Sequence, residues 1–262
     1  GSPLFKSGKE NIVTFEPVGR DTWNGGACIV EENLRQFCAS VKRSENGPPI
    51  RKLRYVNNAF HQKVFSVVEA PPVLPGGLSF ESTAESLIVV ADYGHGLVNN
   101  DVARAISMER VAKCLAITVQ SNSANWGFNL LTKWPRADYV VIDQIELRLA
   151  CHDQHGDIDQ LACQQARRMG TTMFAVTLGH EGCLVINGGA VVWSPAVADK
   201  VIDRMGAGDA FLAVTAPLVW AGAPADVVAL VGNVAGGIKV GKIGNQPVTR
   251  AEIDARLKDL LE

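Results

Sequence analysis

Asp203-Arg204-Met205-Gly206-Ala207-Gly208-Asp209-Ala210-Phe211 is the stretch that decides the fold. An apolar pair, Val201-Ile202, precedes it, and a long run rich in Ala, Leu and Val follows, so the glycines stand where a helix begins. Glycines there let backbone N–H groups approach an anion with no Cβ in the way, and the helix dipole adds favourable potential for a phosphate. An acidic residue directly after the glycines, Asp209, is unhelpful for holding phosphate. It makes sense if its carboxylate accepts a proton from an attacking hydroxyl while the amides hold a transferred phosphoryl group. The plainer alternative is a favourable charge in the first helical turn.

Working outward, short β-branched runs alternate with amphipathic segments. Strands are expected over residues 87–91, 115–119, 139–142 and 173–178, with helices over about 100–112 and 157–169, the latter stopped by Gly170. That alternation implies parallel strands joined by crossovers, hence an α/β fold with a doubly wound, mostly parallel sheet. Runs at 183–186 and 190–193 flank Asn187-Gly188-Gly189, a hairpin signal. Helices follow over about 210–220 and 225–240, and Thr249 with Glu252 has the spacing of a capping box for the last one. The first seventy residues are less periodic, and only 29–41 reads as a helix. A doubly wound sheet usually opens with a strand near its N-terminus, and none is recognisable here.

Bulk properties narrow the classes. With 262 residues, one large domain is expected. A net charge of −2 gives no electrostatic case for nucleic acid or for an anionic membrane. No apolar run approaches the ~18 residues of a membrane span. Gly1-Ser2-Pro3 reads as a tag remnant rather than a signal peptide, and the six scattered cysteines read as reduced thiols, so the cytoplasm is the expected compartment. His152 and His155 lack a metal-ligand cluster and belong to a loop. Gly236 to Lys242 almost spells a P-loop, but Ile243 stands where Ser or Thr must reach magnesium, and the segment leaves a helix instead of a strand. The fingerprints of dinucleotide binding and of the hydrolase nucleophile elbow are absent.

The Asp203–Phe211 segment resembles the C-terminal signature of the ribokinase/PfkB carbohydrate kinases, D-x-x-G-A-G-D-x-F. Other segments agree in the family's order. Val176-Thr177-Leu178-Gly179 with Gly182 resembles its strand-turn beside the nucleotide. Asn233-Val234-Ala235-Gly236 and Val240-Gly241-Lys242-Ile243-Gly244 resemble its helix and loop next to the adenine. Asp92-Tyr93-Gly94-His95-Gly96 is similar to the D-Y-G-K-G segment of the kinase domains that phosphorylate heptose phosphate, and Gly25-Gly26-Ala27 to the G-G-A of the sugar site. The resemblance implies a single ribokinase-like domain over 1–262, with remnants of a small, incomplete β lid near 5–20 (Lys6 to Glu10 among them) and 50–70. It also implies ATP-dependent phosphoryl transfer to a hydroxyl of a sugar or sugar phosphate, heptose phosphate first, and it admits a homodimer.

Roles come with it. Asp209 would be the general base, and the amides of Gly206, Ala207 and Gly208 the anion hole. Thr177, Gly179, Gly182, Asn233 and Gly236 would line the nucleotide. Gly25, Gly26 and Asp92 would face the acceptor, and Asp203 would order its loop and, as in some members, a monovalent cation. Asp143 and Glu146 match the family's N-x-x-E for Mg²⁺, with aspartate replacing asparagine; that keeps an oxygen ligand and adds charge that a hard cation tolerates. The alternative for Glu146 is a pair with Arg148 on a solvated helix. Residues 120–129 lie past the carboxyl end of a parallel strand, where ligands bind. Asn122 and its neighbouring asparagines there could read sugar hydroxyls, or could simply build a turn-rich loop. Arg204-Met205 replaces the usual small residues, His95 replaces a lysine, and the family's first strand is not recognisable. Those departures leave a non-catalytic nucleotide- or sugar-binding relative as the rival.

Overall fold

The computed structural model describes residues 2–4, 14–44, 49–57, 59, 62–71, 78, 81–109 and 111–262. Two compact units emerge. The first comprises Gly1–Trp23 and Asn46–Pro75, the second Asn24–Glu45 and Gly76–Glu262.

In the first unit, β1 (Ser2–Leu4) pairs antiparallel with β2 (Thr14–Glu16). A second antiparallel pair joins β3 (Arg51–Asn57) to β4 (Gln62–Glu69), with a register shift at Tyr55/Val56. Tyr55 stacks on Phe65 at 4.3 Å, and Val64, Phe65, Val67 and Val68 are exposed. Of the segments expected to form a lid, β2, β3 and β4 fall within 5–20 and 50–70, and Lys6 to Glu10 lies outside the described residues.

The second unit opens with α1 (Ala27–Leu34). This helix is shorter than the 29–41 expected: its buried face ends at Leu34, and 35–37 form a turn whose Phe37 and Cys38 amides both return to the Leu34 carbonyl. There follow β5 (Leu87–Asp92), α2 (Asn100–Glu109), β6 (Cys114–Val119), β7 (Tyr139–Asp143), α3 (Gln144–Cys151), α4 (Ile158–Met169), β8 (Met173–Thr177), β9 (Cys183–Asn187) and β10 (Ala190–Ser194). The chain closes with α5 (Ala207–Trp220), α6 (Ala225–Val240) and α7 (Arg250–Leu261). The signals at the ends work as expected. Asp157 caps α4 and Gly170 ends it in the left-handed region, while Thr249 and Glu252 form the capping box of α7. Gly188 and Gly189, at φ 57° and 91°, supply the two positive φ values that the β9–β10 hairpin turn requires.

The sheet runs β10-β9-β8-β7-β6-β5; β5 to β8 are parallel, and β9 and β10 return antiparallel. Alternate side chains serve two cores. Leu115, Ile117, Val140, Ile142, Phe174 and Val176 pack with residues of α2, α3 and α4, whereas Ala116, Tyr139, Val141 and Ala175 pack with α5 and α6. The apolar residues of β6 are fully buried. Those of β5 are only half-buried, because among the described residues β5 is the edge of the sheet and no N-terminal strand lies outside it. One polar contact crosses the α5–sheet layer: the Tyr139 hydroxyl lies 2.7 Å from Thr215 Oγ1, and Thr215 also donates to the Phe211 carbonyl at 2.6 Å.

Candidate active site

Parallel strands place their carboxyl ends on one side of the sheet, and ligands of such sheets bind outside those ends. Asp92 ends β5, Gln120 follows β6, Asp143 ends β7 and Thr177 ends β8. Gly206 caps α5 at φ 78° with no side chain bonded to the cap. A Cβ on it would meet Asn245 Oδ1 at 2.8 Å and Lys239 Cε at 3.2 Å, so glycine is the residue that the turn takes without strain. The first intrahelical bond is Ala210 N–H to the Gly206 carbonyl, 2.9 Å, so the Ala207 and Gly208 amides lie ahead of the helical ladder and are free to take an anion. Nothing lies within 4 Å of where a Gly208 Cβ would be. Asp203 shapes the approach by accepting the Met205 N–H at 3.1 Å.

Asp209 sits in the first turn of α5 and is only 6% exposed. Its Oδ1 accepts from the Tyr93 hydroxyl at 3.0 Å and from Gln120 Nε2 at 3.1 Å. Both bonds fall on the same oxygen, which leaves Oδ2 to take a proton. Burial raises this carboxyl from 3.8 to about 6; the Tyr93 hydroxyl, the Lys239 charge and Gln120 pull in the opposite direction without cancelling it. Burial, and then the Asp209 charge, hold the Tyr93 hydroxyl well above its usual range, so it stays a donor. The simple first-turn charge is thus too weak a description of Asp209: a charge placed only for the helix dipole would not be buried under two donors.

The asparagines after β6 are occupied as braces. Asn122 Nδ2 donates to the Tyr93 carbonyl at 2.8 Å, Asn125 Nδ2 to the Gln120 carbonyl at 2.8 Å, and Asn129 Nδ2 to the Asp92 carbonyl at 3.0 Å. Lys133 pairs with buried Asp92 and donates to Asn129 Oδ1 at 2.6 Å and to the Val98 carbonyl at 2.7 Å. These bonds clamp the loop after β5 to the loop after β6 and aim Tyr93 and Gln120 at Asp209. Gly94, at φ 69°, is part of the clamp, since a Cβ there would strike Asn125 and Asn129 within 3 Å. Gly26, at φ 55°, opens α1, and a Cβ on it would lie 3.4 Å from the Tyr93 ring; a Cβ on Gly25 before it would lie 3.7 Å from Asn245 Nδ2.

Asp143 and Glu146 form a capping box on α3: Glu146 N–H donates to Asp143 Oδ1 at 2.8 Å, and Asp143 N–H to Glu146 Oε2 at 2.9 Å. Ser121 N–H donates to Glu146 Oε1 at 2.9 Å. Arg148 turns away to the Gly156 carbonyl, so the pair with Glu146 does not form. Burial first, then the charge of Asp143, push Glu146 up to about 8, with Asp209 adding a smaller push. A carboxyl raised by burial and by a neighbouring carboxylate suits a divalent cation. Both Glu146 oxygens already accept backbone N–H groups, and among the described residues no three acidic, His or Cys side chains converge as a direct metal cage. The donor set therefore fits a hydrated Mg²⁺ held through water.

Of the residues expected to line a nucleotide, Gly179 (φ 63°) and Gly236 have open space at their Cβ positions, while a Cβ on Gly182 (φ 105°) would lie 2.1 Å from the Ser194 carbonyl oxygen. Thr177 is half-buried at the end of β8. Asn233 is buried and spends its amide on the Ser194 and Pro195 carbonyls, at 2.8 and 3.0 Å, fixing the chain that leaves β10. Gln120, Lys133 and Lys239 are site residues that the sequence did not single out.

A family model described as pfkB family carbohydrate kinase matches residues 96–251. Bifunctional protein HldE of Methylobacillus flagellatus is 27% identical over 175 residues, 65% of this chain and 35% of that protein. Its namesake from Rhodospirillum rubrum is 28% identical over 186 residues, 70% of this chain and 36% of that protein. The chain thus spans about a third of the length of these curated relatives. Among solved structures, phosphofructokinase-2 from Escherichia coli in complex with potassium covers all of this chain at TM-score 0.70 and 12% identity, with 94% of its own length matched. Adenosine kinase from Sinorhizobium meliloti matches 80% of this chain and 66% of its own, at TM-score 0.61 and 23% identity. Both have the ribokinase-like fold seen here. With the model covering more than half of its length, including α5, α6 and Asp143 at the end of β7, this chain belongs to the pfkB family of carbohydrate kinases.

Proposed function

We propose that this protein transfers the γ-phosphoryl group of ATP to a hydroxyl of a sugar or sugar phosphate, with Asp209 as general base. The observation that carries the proposal is a buried carboxylate raised to about 6 beside the open amides at the start of α5. An acceptor hydroxyl would give its proton to Asp209 Oδ2. The Gly206, Ala207 and Gly208 amides would hold the negative charge that develops on the phosphoryl oxygens. Thr177, Gly179, Gly182 and Gly236 would line the nucleotide, with Asn233 shaping that wall from behind. Magnesium near Asp143 and Glu146 would neutralise phosphate charge.

Gly25, Gly26, Asp92 and Tyr93 mark the acceptor side. Asn122 is occupied with the Tyr93 carbonyl and so shapes that side from behind. Heptose phosphate is the first acceptor to try, on the similarity of Asp92-Tyr93-Gly94-His95-Gly96 to the heptose-phosphate kinases. The exposed apolar side chains of β3 and β4 support pairing with a second copy, which sedimentation would detect.

The test is ADP release with ATP, Mg²⁺ and a panel of sugars and sugar phosphates. Turnover with one acceptor, abolished in Asp209→Asn, is expected. No turnover with any acceptor, together with thermal stabilisation by ATP, would favour the non-catalytic rival.

A further inference from the structure

Lys239 is the single lysine among the described residues with no exposed surface. It lies in the last turn of α6, and its ammonium donates to the Gly244 carbonyl at 2.7 Å. Its tail runs under the anion-binding turn: Cε and Nζ lie 3.2 and 3.8 Å from the point a Cβ on Gly206 would occupy. Asn245 Oδ1, which is buried and has no hydrogen-bond partner, lies 2.8 Å from the same point. The next carbonyl along, that of Val240, accepts the amides of Ile202 and Asp203 at 2.7 and 3.0 Å. The C-terminal end of α6 therefore grips the 202–206 segment at both its ends.

Packing does not explain a lysine here. A methionine or leucine would fill the same volume with no charge to desolvate, whereas a buried ammonium must be repaid by carbonyls and by a field that favours it. Both are present: the negative end of the α6 dipole, and a loop carbonyl pointing at the charge. In chemical terms this is one positive charge, bound by backbone oxygen beneath a turn that must offer its amides to phosphate. A soluble monovalent cation would make the same contacts.

We propose that Lys239 is a tethered monovalent cation. It orders the 203–206 turn so that the amides ahead of α5 face the phosphoryl group, and it makes the protein indifferent to potassium. This rests on the phosphoryl-transfer role given above to the start of α5. Lys239 is a positioning residue: its ammonium reaches the turn and never the substrate.

The test compares potassium with choline at matched ionic strength, by thermal unfolding and by ADP release. The wild type should unfold at the same temperature and turn over at the same rate in both. Lys239→Ala should unfold several degrees lower in choline, recover part of that in about 0.1 M potassium or ammonium as binding to the folded state requires, and lose roughly 100-fold in kcat, with the KM for ATP little changed and partial rescue by the same ions. Lys239→Met keeps the volume without the charge, and should lose kcat with no rescue. A wild type that needs potassium, a Lys239→Met variant as active as wild type, or a potassium response shared equally by wild type and Lys239→Ala would overturn the proposal. Should Lys239→Ala fail to fold, the wild-type and Lys239→Met arms decide. Absence of turnover in every sample would defeat the kinase role instead, and the unfolding temperatures would still decide the fate of Lys239.

Discussion

At the start of α5 the site is made of backbone: a glycine at φ 78°, two amides ahead of the helical ladder, and a buried lysine beneath them. Beyond β5 and β6 it is made of side-chain amides clasping carbonyls, with Asn122, Asn125 and Asn129 tying down the chain that carries Tyr93 and Gln120. The first construction is strained by a single added methyl group, so it demands glycine at a fixed place and can be recognised in a sequence. The second needs only donors of the right reach, which many loops contain, so it carries no signature. Tyr93 and Gln120 meet both constructions at Asp209 Oδ1.

Substitutions on the two sides should therefore separate. Asp209→Asn should have the largest effect, lowering kcat by about 10³-fold or more through loss of the base. The same change should stabilise the protein near neutrality. The Asp209 carboxyl goes from 3.8 to about 6 on folding, so its contribution to stability is intact below about pH 4 and is lost as pH rises through 6. The amide does not titrate, and urea unfolding should find the variant level with wild type at pH 4 and more stable above pH 6, by at most about 3 kcal/mol. In the wild type, kcat/KM should rise with pH and level off above 6. A profile that falls through that range would remove Asp209 as the base.

Gly206→Ala comes next. Its Cβ would sit at a positive φ and within 3 Å of Asn245 Oδ1, so the turn must move, and kcat should drop about 100-fold for only ~1–2 kcal/mol of stability. Asn129→Ala should show the reverse balance. It releases the Asp92 carbonyl and the Lys133 ammonium, costing roughly 1–3 kcal/mol in a denaturant melt, with kcat reduced only about tenfold. If Asn129→Ala were the more damaging to rate, the contrast between the two constructions would collapse. The smallest effect should come from Trp126→Ser and Phe128→Ser, whose side chains are 83% and 88% exposed; stability should stay within about 0.5 kcal/mol.

Much of this was legible in the order of residues. Every strand of the main sheet was placed within about a residue, because buried parallel strands leave continuous apolar runs. The helices α4 and α7 were fixed by their caps. The helix expected over 29–41 was too long, since amphipathic spacing continues past Leu34 while the surface it could bury does not. Lys239 left a readable trace. Ala225, Val228, Ala229, Gly232 and Asn233 form the buried stripe of α6, and Lys239 falls on its continuation, where a charge is out of place. Gln120 left a fainter one, as the first residue beyond a parallel strand. The asparagine braces left none that separates them from any polar loop, because their partners are carbonyls, which every residue has.

The Tyr139–Thr215 hydrogen bond has a bearing on tolerance to error. Apolar contacts set no register along a helix axis, and α5 meets its sheet through such contacts, Phe211, Leu212 and Ala216 among them. One hydroxyl pair, buried where water cannot replace it, turns that smooth surface into a notched one. Asp209 lies six residues upstream of Thr215, about 9 Å along the helix at 1.5 Å per residue. Asp143 ends the strand that Tyr139 begins. The gap between the proposed proton acceptor and the carboxylates proposed for the metal is thus indexed by a contact remote from both.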